Sequence, residues 1–342
     1  MSNYILERNK KTLEKLREIV SKLPDYCTDY FISISQTTST LTRLNYATDL
    51  GVFFYYLSSE HFFKQIKDIS IKDLEKIKSK DIEYFLNYIT YFEKDGVLYQ
   101  NGERGKSRKL SAIKSLFRYL FISGELESDE SSKVKSPKLH QKPIIHLEPN
   151  EVANLLNEAE KPLDLTIREQ AFNKKTMIRD MAILSLFLGT GIRVSECVGL
   201  NIKDIDFDNY AFKIVRKGGN ETVLYFGDEV KDALLKWTMQ RESWLGDNLD
   251  ETALFLSLQK KRIGVRAVEK LVKKYSLAST PLKKITPHKL RSTYGTSLYR
   301  ETGDIYVVAE VLGHKDINTT KKHYAAMSEE IKRSVADKVK LR

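Results

Sequence analysis

The chain of 342 residues contains only two cysteines, Cys27 and Cys197. Two thiols cannot build a disulfide framework, and no paired Cys/His spacing of the kind that binds zinc is present. No uninterrupted apolar run approaches the ~18 residues of a membrane span. The first fifteen residues are polar and carry Glu7 and Glu14, unlike a secretory signal, so the expected location is the cytoplasm. Neither a Gly-rich phosphate loop nor a carboxylate cluster appears, and no cofactor or metal is expected. Internal repeats and low-complexity tracts are also lacking.

What the sequence has in excess is positive charge. Lysine and arginine number 57 against 46 acidic residues, a net +11. That balance favours a polyanionic partner. With 41% hydrophobic and 30% charged residues the composition is that of a globular protein, and the length fits two domains. Residues 4–22, 38–57, 79–92 and 107–122 each place leucine, isoleucine or phenylalanine at helical spacing. Residues 1–125 therefore read as an all-helical domain. Residues 126–147, with Pro137 and Pro143 and no apolar period, read as an interdomain linker. Residues 148–342 form the second domain. It begins with a helix at Glu148–Glu151 and continues with an apolar helix over 176–188 that ends at Gly189. Strand-like runs follow at 211–215 and 222–226, joined by a Lys217-Gly218-Gly219-Asn220 turn. Helices are expected at 228–241, 266–275, 287–301, 305–312 and about 318–326, with a last one at 328–342 carrying Ile331, Val335 and Val339. The fold class is mainly α, with a small antiparallel sheet in the second domain.

The basic excess is clustered. Arg104, Lys106, Arg108, Lys109, Lys114 and Arg118 lie in one acid-free stretch. A second cluster includes Lys261, Arg262, Arg266 and Lys270, opposed only by Glu269. Basic faces in both domains, joined by a tether, make a clamp able to enclose a DNA duplex through phosphate contacts.

Several local patterns could bear chemistry. In Thr286-Pro287-His288-Lys289-Leu290-Arg291, Thr286 suits an N-cap and Pro287 the first helical position. His288 and Arg291 then share the first turn, where a helix start already attracts anions. In GTGIRVSE (189–196) the buried helix stops at glycine, and Arg193 precedes Glu196 by three residues. LGHKD (312–316) sets His314 directly behind a glycine, and TTKKHYA (319–325) contains Tyr324. Taken singly, each has an ordinary structural reading.

Together, these stretches and the hairpin VRKGGNETV (215–223) resemble the tyrosine recombinase, or integrase, family. Within that family the chain is most similar to the single-recombinase Xer proteins of Gram-positive bacteria, on RKGG, TALFLSL (252–258) and VEKLVKKYS (268–276). The first domain is similar to the family's core-binding domain.

The resemblance implies a site-specific recombinase that cuts and rejoins double-stranded DNA without metal or ATP. It implies that Tyr324 attacks the phosphodiester and forms a 3′-phosphotyrosyl link. It further implies that Arg193 and Arg291 clamp the non-bridging oxygens, and that Lys217 protonates the leaving 5′-oxygen. His288 would take part in proton transfer with Tyr324, His314 would hydrogen-bond a phosphate oxygen, and Glu196 would brace the neighbouring basic groups. These roles suit the chemistry, because a phenol with an ordinary pKa near ~10 is a poor nucleophile at neutral pH without clustered cations. The interval from His314 to Tyr324 is ten residues, where many Xer-type members have nine, and no tyrosine follows Tyr324. The implied partners are a DNA recombination site, three further copies of the chain on two such sites, and an accessory directionality or translocase protein; no membrane is involved. Resolution of chromosome dimers is the expected role. An integrase of a phage or conjugative transposon is the alternative within the class, and a non-catalytic DNA-binding protein is the alternative outside it.

Overall fold

A computed structural model describes residues 3–140, 145–161, 166–216, 219–246 and 251–313. The chain divides into two compact units, Ser2–Lys142 and, apart from Met1, Pro143–Arg342.

The first unit is built on α3 (Thr40–Tyr56), which packs against α1 (Asn3–Val20) and α6 (Glu103–Ile122). Ser39 starts α3 by accepting from the Thr42 amide at 3.2 Å. Leu50, Phe53 and Phe54 of α3 are fully buried with Phe85, Ile113, Leu116 and Phe117. The Phe53 ring meets Phe85 edge-on, centroids 5.1 Å apart. Burial of this kind stabilises by roughly 1.5–3 kcal/mol per large apolar side chain. Three helices fill the remaining sides: α2 (Tyr26–Ser33), α4 (Ile71–Lys76) and α5 (Ser79–Tyr88).

Two features of this unit depart from the sequence reading. The helix expected over 79–92 ends at Tyr88, and a hairpin follows, β1 (Tyr91–Lys94) paired antiparallel with β2 (Val97–Gln100). Its turn is Asp95-Gly96, both at positive φ (54° and 72°). Asp-Gly between short apolar runs is a hairpin signal that the helical periodicity of the preceding residues overrode. The unit is therefore helical with one added hairpin rather than all-helical. Secondly, the start of the expected linker is folded. Leu126, Ser131 and Val134 are buried, Glu130–Lys133 forms a 3-10 turn, and Lys114 donates to the Val134 carbonyl at 2.6 Å. Two apolar anchors in a polar stretch leave no periodicity to read.

The second unit is organised around α8 (Ile167–Thr190), which packs on α7 (Pro149–Glu160), α10 (Asp228–Leu245) and α12 (Pro287–Thr302). Ala182, Ile183, Leu184, Leu186 and Phe187 of α8 are fully buried. Trp237 of α10 lies in the same core and donates its indole N–H to the Leu254 carbonyl at 2.8 Å. A three-stranded antiparallel sheet, in the order β3 (Ile205–Asp206), β4 (Ala211–Val215), β5 (Glu221–Tyr225), carries the hairpin. Phe212 faces Leu224 across it, and Ile214 faces Thr222. Short α9 (Val194–Cys197), α11 (Val265–Ser279) and α13 (Ile305–Leu312) complete the described residues of the unit. Among the described residues no helix is long and apolar enough to cross a membrane.

Candidate active site

The site begins where α8 stops. Gly191 has φ +61°, and a Cβ there would lie 2.5 Å from Tyr294 Cδ1 and 2.8 Å from Leu312 Cδ2. Only glycine lets this turn adopt a left-handed conformation while α12 and α13 press against it. Thr190 closes the helix by donating to the Leu186 carbonyl at 2.6 Å. The chain then passes into Arg193, which precedes α9 in extended conformation.

Arg193 is held from two sides. Its amide and its Nη1 both donate to the Glu196 carboxylate at 2.9 Å. Its Nη2 donates to the carbonyls of Leu312 (3.3 Å) and Gly313 (3.1 Å). The side chain keeps 36% of its surface exposed, whereas that of Glu196 keeps 5%. A buried carboxylate thus fixes a guanidinium whose outer face meets solvent.

Arg291 arrives from α12, which starts with Thr286 at the N-cap and Pro287 at the first helical position. The residue is 4% exposed. Nη1 donates to the Gly191 carbonyl at 2.5 Å, and Nη2 donates to the Leu312 carbonyl. Arg193 and Arg291, distant in sequence, therefore share one carbonyl at the C-terminal end of α13. Cations favour that end of a helix, where carbonyls have no intrahelical partner. Gly313 caps α13 at φ +61°. His288 lies in the same first turn as Arg291 and is exposed.

A third guanidinium joins them. Arg216 leaves the end of β4 and donates Nη2 to the Val311 carbonyl at 2.8 Å. Burial pulls its pKa below the usual arginine value, with the Glu196 charge working in the opposite direction. Arg216 was not among the expected site residues. The available signal was its place directly before Lys217, in a hairpin that needs no second cation for its turn.

Of the expected catalytic residues, the structure brings Arg193, Glu196 and Arg291 together around Leu312 and sets His288 on the same helix start as Arg291. Lys217, His314 and Tyr324 lie outside the described residues, as does the expected helix 328–342.

The expected DNA-binding residues divide in two. Arg104, Arg118, Lys261, Arg266 and Lys270 are exposed and Lys106 is half-buried. Arg266 and Lys270 lie four apart on α11, on one face. The other four have partners within the chain, and of these only Lys109 is buried away from a duplex. Lys109 is buried, 3.5 Å from the buried carboxylate of Asp49, and donates to Asn101 at 2.9 Å. Arg108 pairs with the same Asp49 at 2.8 Å while remaining partly exposed. Lys114 is bound to Val134, as described above. Arg262 donates to the Val198 and Leu200 carbonyls, both at 2.9 Å, and to Asn201 at 2.6 Å. Charge runs do not distinguish these from solvated cations, because their partners are backbone carbonyls and acids remote in sequence.

Comparison with known proteins identifies the family. The profile of the phage integrase family matches residues 146–330. The tyrosine recombinase XerC of Thermodesulfovibrio yellowstonii is 32% identical over 283 residues, covering 78% of this chain and 90% of the relative. Tyrosine recombinase XerS of Lactococcus lactis subsp. cremoris is 28% identical over 355 residues, covering 95% and 97%. Among solved structures, the XerH site-specific recombinase bound to palindromic difH substrate, a post-cleavage complex, superposes with a TM-score of 0.63 at 23% identity, covering 83% of this chain and 76% of that one. The chain belongs to the phage integrase family, the tyrosine recombinases, enzymes that cleave and rejoin DNA through a tyrosine nucleophile.

Proposed function

We propose that this recombinase acts in the cytoplasm on two copies of a specific DNA site, as a tetramer, and resolves chromosome dimers in the manner of a Xer protein. Tyr324 attacks the scissile phosphorus in line, the bond from phosphorus to the 5′-oxygen breaks, and a 3′-phosphotyrosyl link forms. Lys217 gives its proton to the departing 5′-oxygen, and His288 takes part in removing the phenolic proton. Arg193 and Arg291 neutralise the charge that builds on the non-bridging oxygens, with a hydrogen bond from His314. Rejoining runs the same steps backwards with the 5′-hydroxyl of the partner strand. The exposed faces of Arg104, Lys106 and Arg118 in one unit, and of Lys261, Arg266 and Lys270 in the other, bind the duplex backbone.

The observation that carries this reading is the shared Leu312 carbonyl. Two guanidinium groups from separate elements converge at the end of α13, and the chain leaves that point directly into His314. The reading of a Xer role rests on similarity to XerS along nearly the whole of both chains. An accessory translocase or directionality protein would set the outcome of exchange. An isolated chromosomal locus fits dimer resolution, whereas an adjacent excision gene would point to a mobile-element integrase.

The test is a suicide DNA substrate nicked beside the cleavage position. Wild type should trap a covalent protein–DNA adduct that resists denaturant. Tyr324→Phe should bind the same DNA and trap none. An adduct formed by Tyr324→Phe would assign the nucleophile elsewhere, and no adduct with wild type would leave a DNA-binding protein without catalysis.

A further inference from the structure

Among the described residues, the side chain of Arg216 ties the hairpin to the end of α13. Arg216 is the first residue after β4, and its backbone closes the turn: its amide donates to the Asn220 carbonyl at 2.8 Å, and its carbonyl accepts from the Gly219 amide at 3.0 Å. Its side chain leaves the turn altogether. Nη2 donates to the Val311 carbonyl at 2.8 Å and Nη1 to the Glu310 carbonyl at 3.5 Å. The guanidinium also packs on Gly313, where any Cβ would collide with Nη1 and Cζ of Arg216. The contact is therefore built from both sides, by a two-pronged donor on the hairpin and a residue without a side chain on the helix end. Arg193 and Arg291 hold the next carbonyls of the same helix end. In sequence, Arg216 directly precedes Lys217, and Gly313 directly precedes His314.

We propose that Arg216 is a positioning residue: by tying the end of β4 to the end of α13, it holds the hairpin root at the helix end that also accepts from the arginine pair, so that proton donation from the hairpin is aligned with phosphate clamping. The proposal rests on the reading of Lys217 as the proton donor. On this reading Arg216 acts through the hairpin that carries residue 217 and not on the transferred proton. Its loss should slow cleavage by misplacing the donor while leaving the site otherwise able to stabilise charge.

This predicts a rescue that depends on the leaving group. A substrate carrying sulfur in place of the bridging 5′-oxygen expels a thiolate. A thiol has a pKa near ~8.5, far below that of an alcohol, so the sulfur leaves without a proton donor. Arg216→Met keeps the aliphatic stem and removes the donors. On the ordinary nicked substrate it should cleave about 10²-fold more slowly than wild type. Its affinity for the DNA site should stay within about threefold, less than a tenfold step in binding. On the sulfur-bridged substrate it should return to within about tenfold of wild type, the residue of a loss otherwise of general-acid size. Hydrogen exchange without DNA should quicken both at the 219–221 turn and at 311–313. Arg216→Lys retains charge and one donor, and should show the same pattern at smaller amplitude, which serves if Arg216→Met does not fold. Equal losses on the two substrates, an unchanged rate on the ordinary one, or exchange that quickens at neither segment would overturn the proposal. Lys217→Ala separates the two levels of inference. If sulfur rescues Lys217→Ala but not Arg216→Met, the positioning role fails alone; if it does not rescue Lys217→Ala, the reading of the donor fails and takes the positioning role with it.

Discussion

Gly191→Ala adds a single methyl group at a point where the structure leaves no room for it. The residue has φ +61°, and the new methyl carbon would sit 2.5 Å from Tyr294 Cδ1 and 2.8 Å from Leu312 Cδ2. A non-glycine residue in the left-handed region costs roughly 1–2 kcal/mol. Forcing a methyl into a filled contact costs about 1–3 kcal/mol more. For a unit of this size the sum should lower the melting midpoint by about 5–15 °C. Activity should suffer separately, because the Gly191 carbonyl is a partner of Arg291 and Leu312 is the shared acceptor of both arginines. A displacement of a few tenths of an ångström there should slow covalent-adduct formation by about 10–100-fold in protein that is still folded. Gly189→Ala is the matched control. It has no positive φ; a Cβ there would collide with a Val230 methyl, so the packing cost of about 1–3 kcal/mol remains, offset by up to about 1 kcal/mol of helix preference. It should therefore melt nearer to wild type and cleave at close to the wild-type rate. The measurements are thermal unfolding by circular dichroism and single-turnover cleavage of the nicked substrate well below the midpoint. A Gly191→Ala midpoint within about 2 °C of wild type, less than one kcal/mol for such a unit, would refute the packing argument. So would a larger loss of cleavage in Gly189→Ala than in Gly191→Ala.

Two further expectations concern the first unit. Lys109→Met takes one of two cationic partners from the buried Asp49 carboxylate and should destabilise by about 1–3 kcal/mol in denaturant melts, with little effect on the salt dependence of DNA binding. Arg104→Ala should do the reverse, leaving stability within about 0.5 kcal/mol and reducing the slope of log affinity against log salt by about 1; a Lys109→Met protein that melts normally but binds DNA poorly would reverse the assignment. Asp73 supplies a pH signature: burial works to raise its pKa, but the Ser70 amide and hydroxyl and the Lys64 ammonium outweigh it, so the carboxyl is held well below its usual range. A depressed folded pKa gives stability that is fully present above the unfolded value near ~4 and fades as the pH falls below it. Wild type should thus lose stability more steeply than Asp73→Asn on acidification from pH ~4, and parallel curves would remove Asp73 as the source.

How much of this was legible beforehand depended on whether a signal was local. Most helices of the second unit follow apolar periodicity and marked ends, although α8 starts at Ile167, nine residues before the expected 176, in a polar stretch without that periodicity. α13 begins at Asp304, which accepts from the Tyr306 amide at 2.7 Å, and ends at a left-handed glycine. Thr286-Pro287 places the start of α12, and the glycines place the end of α8. Motif spacing also singled out Arg193, Glu196 and Arg291, because each occupies a helix start or a short turn with its own cues. The β1–β2 hairpin was legible in Asp95-Gly96 but lost to a helical run that continued into it. The internal use of Lys109, Lys114 and Arg262 could not be read. Their partners are Asp49, the Val134 carbonyl and the carbonyls of Val198 and Leu200, and only the folded chain brings those within reach.

Backbone acceptors also govern how the arginine pair is held. A guanidinium carries five N–H donors in a fixed fork, and two such groups held near each other repel unless their donors are occupied. Glu196 supplies a full negative charge to one arginine. The carbonyls of Gly191, Leu312 and Gly313 also accept from the pair, and neutral acceptors of this kind need no ionisable residue in the sequence. A carboxylate in place of one of those carbonyls would hold its arginine more tightly but would compete with, and repel, the phosphate that the pair is proposed to receive. Backbone acceptors at the negative end of a helix dipole fix the geometry without cancelling a full charge. That arrangement suits a site that must hold two cations ready and yield them to an anionic backbone, and it places the decisive contacts where side-chain motifs cannot announce them.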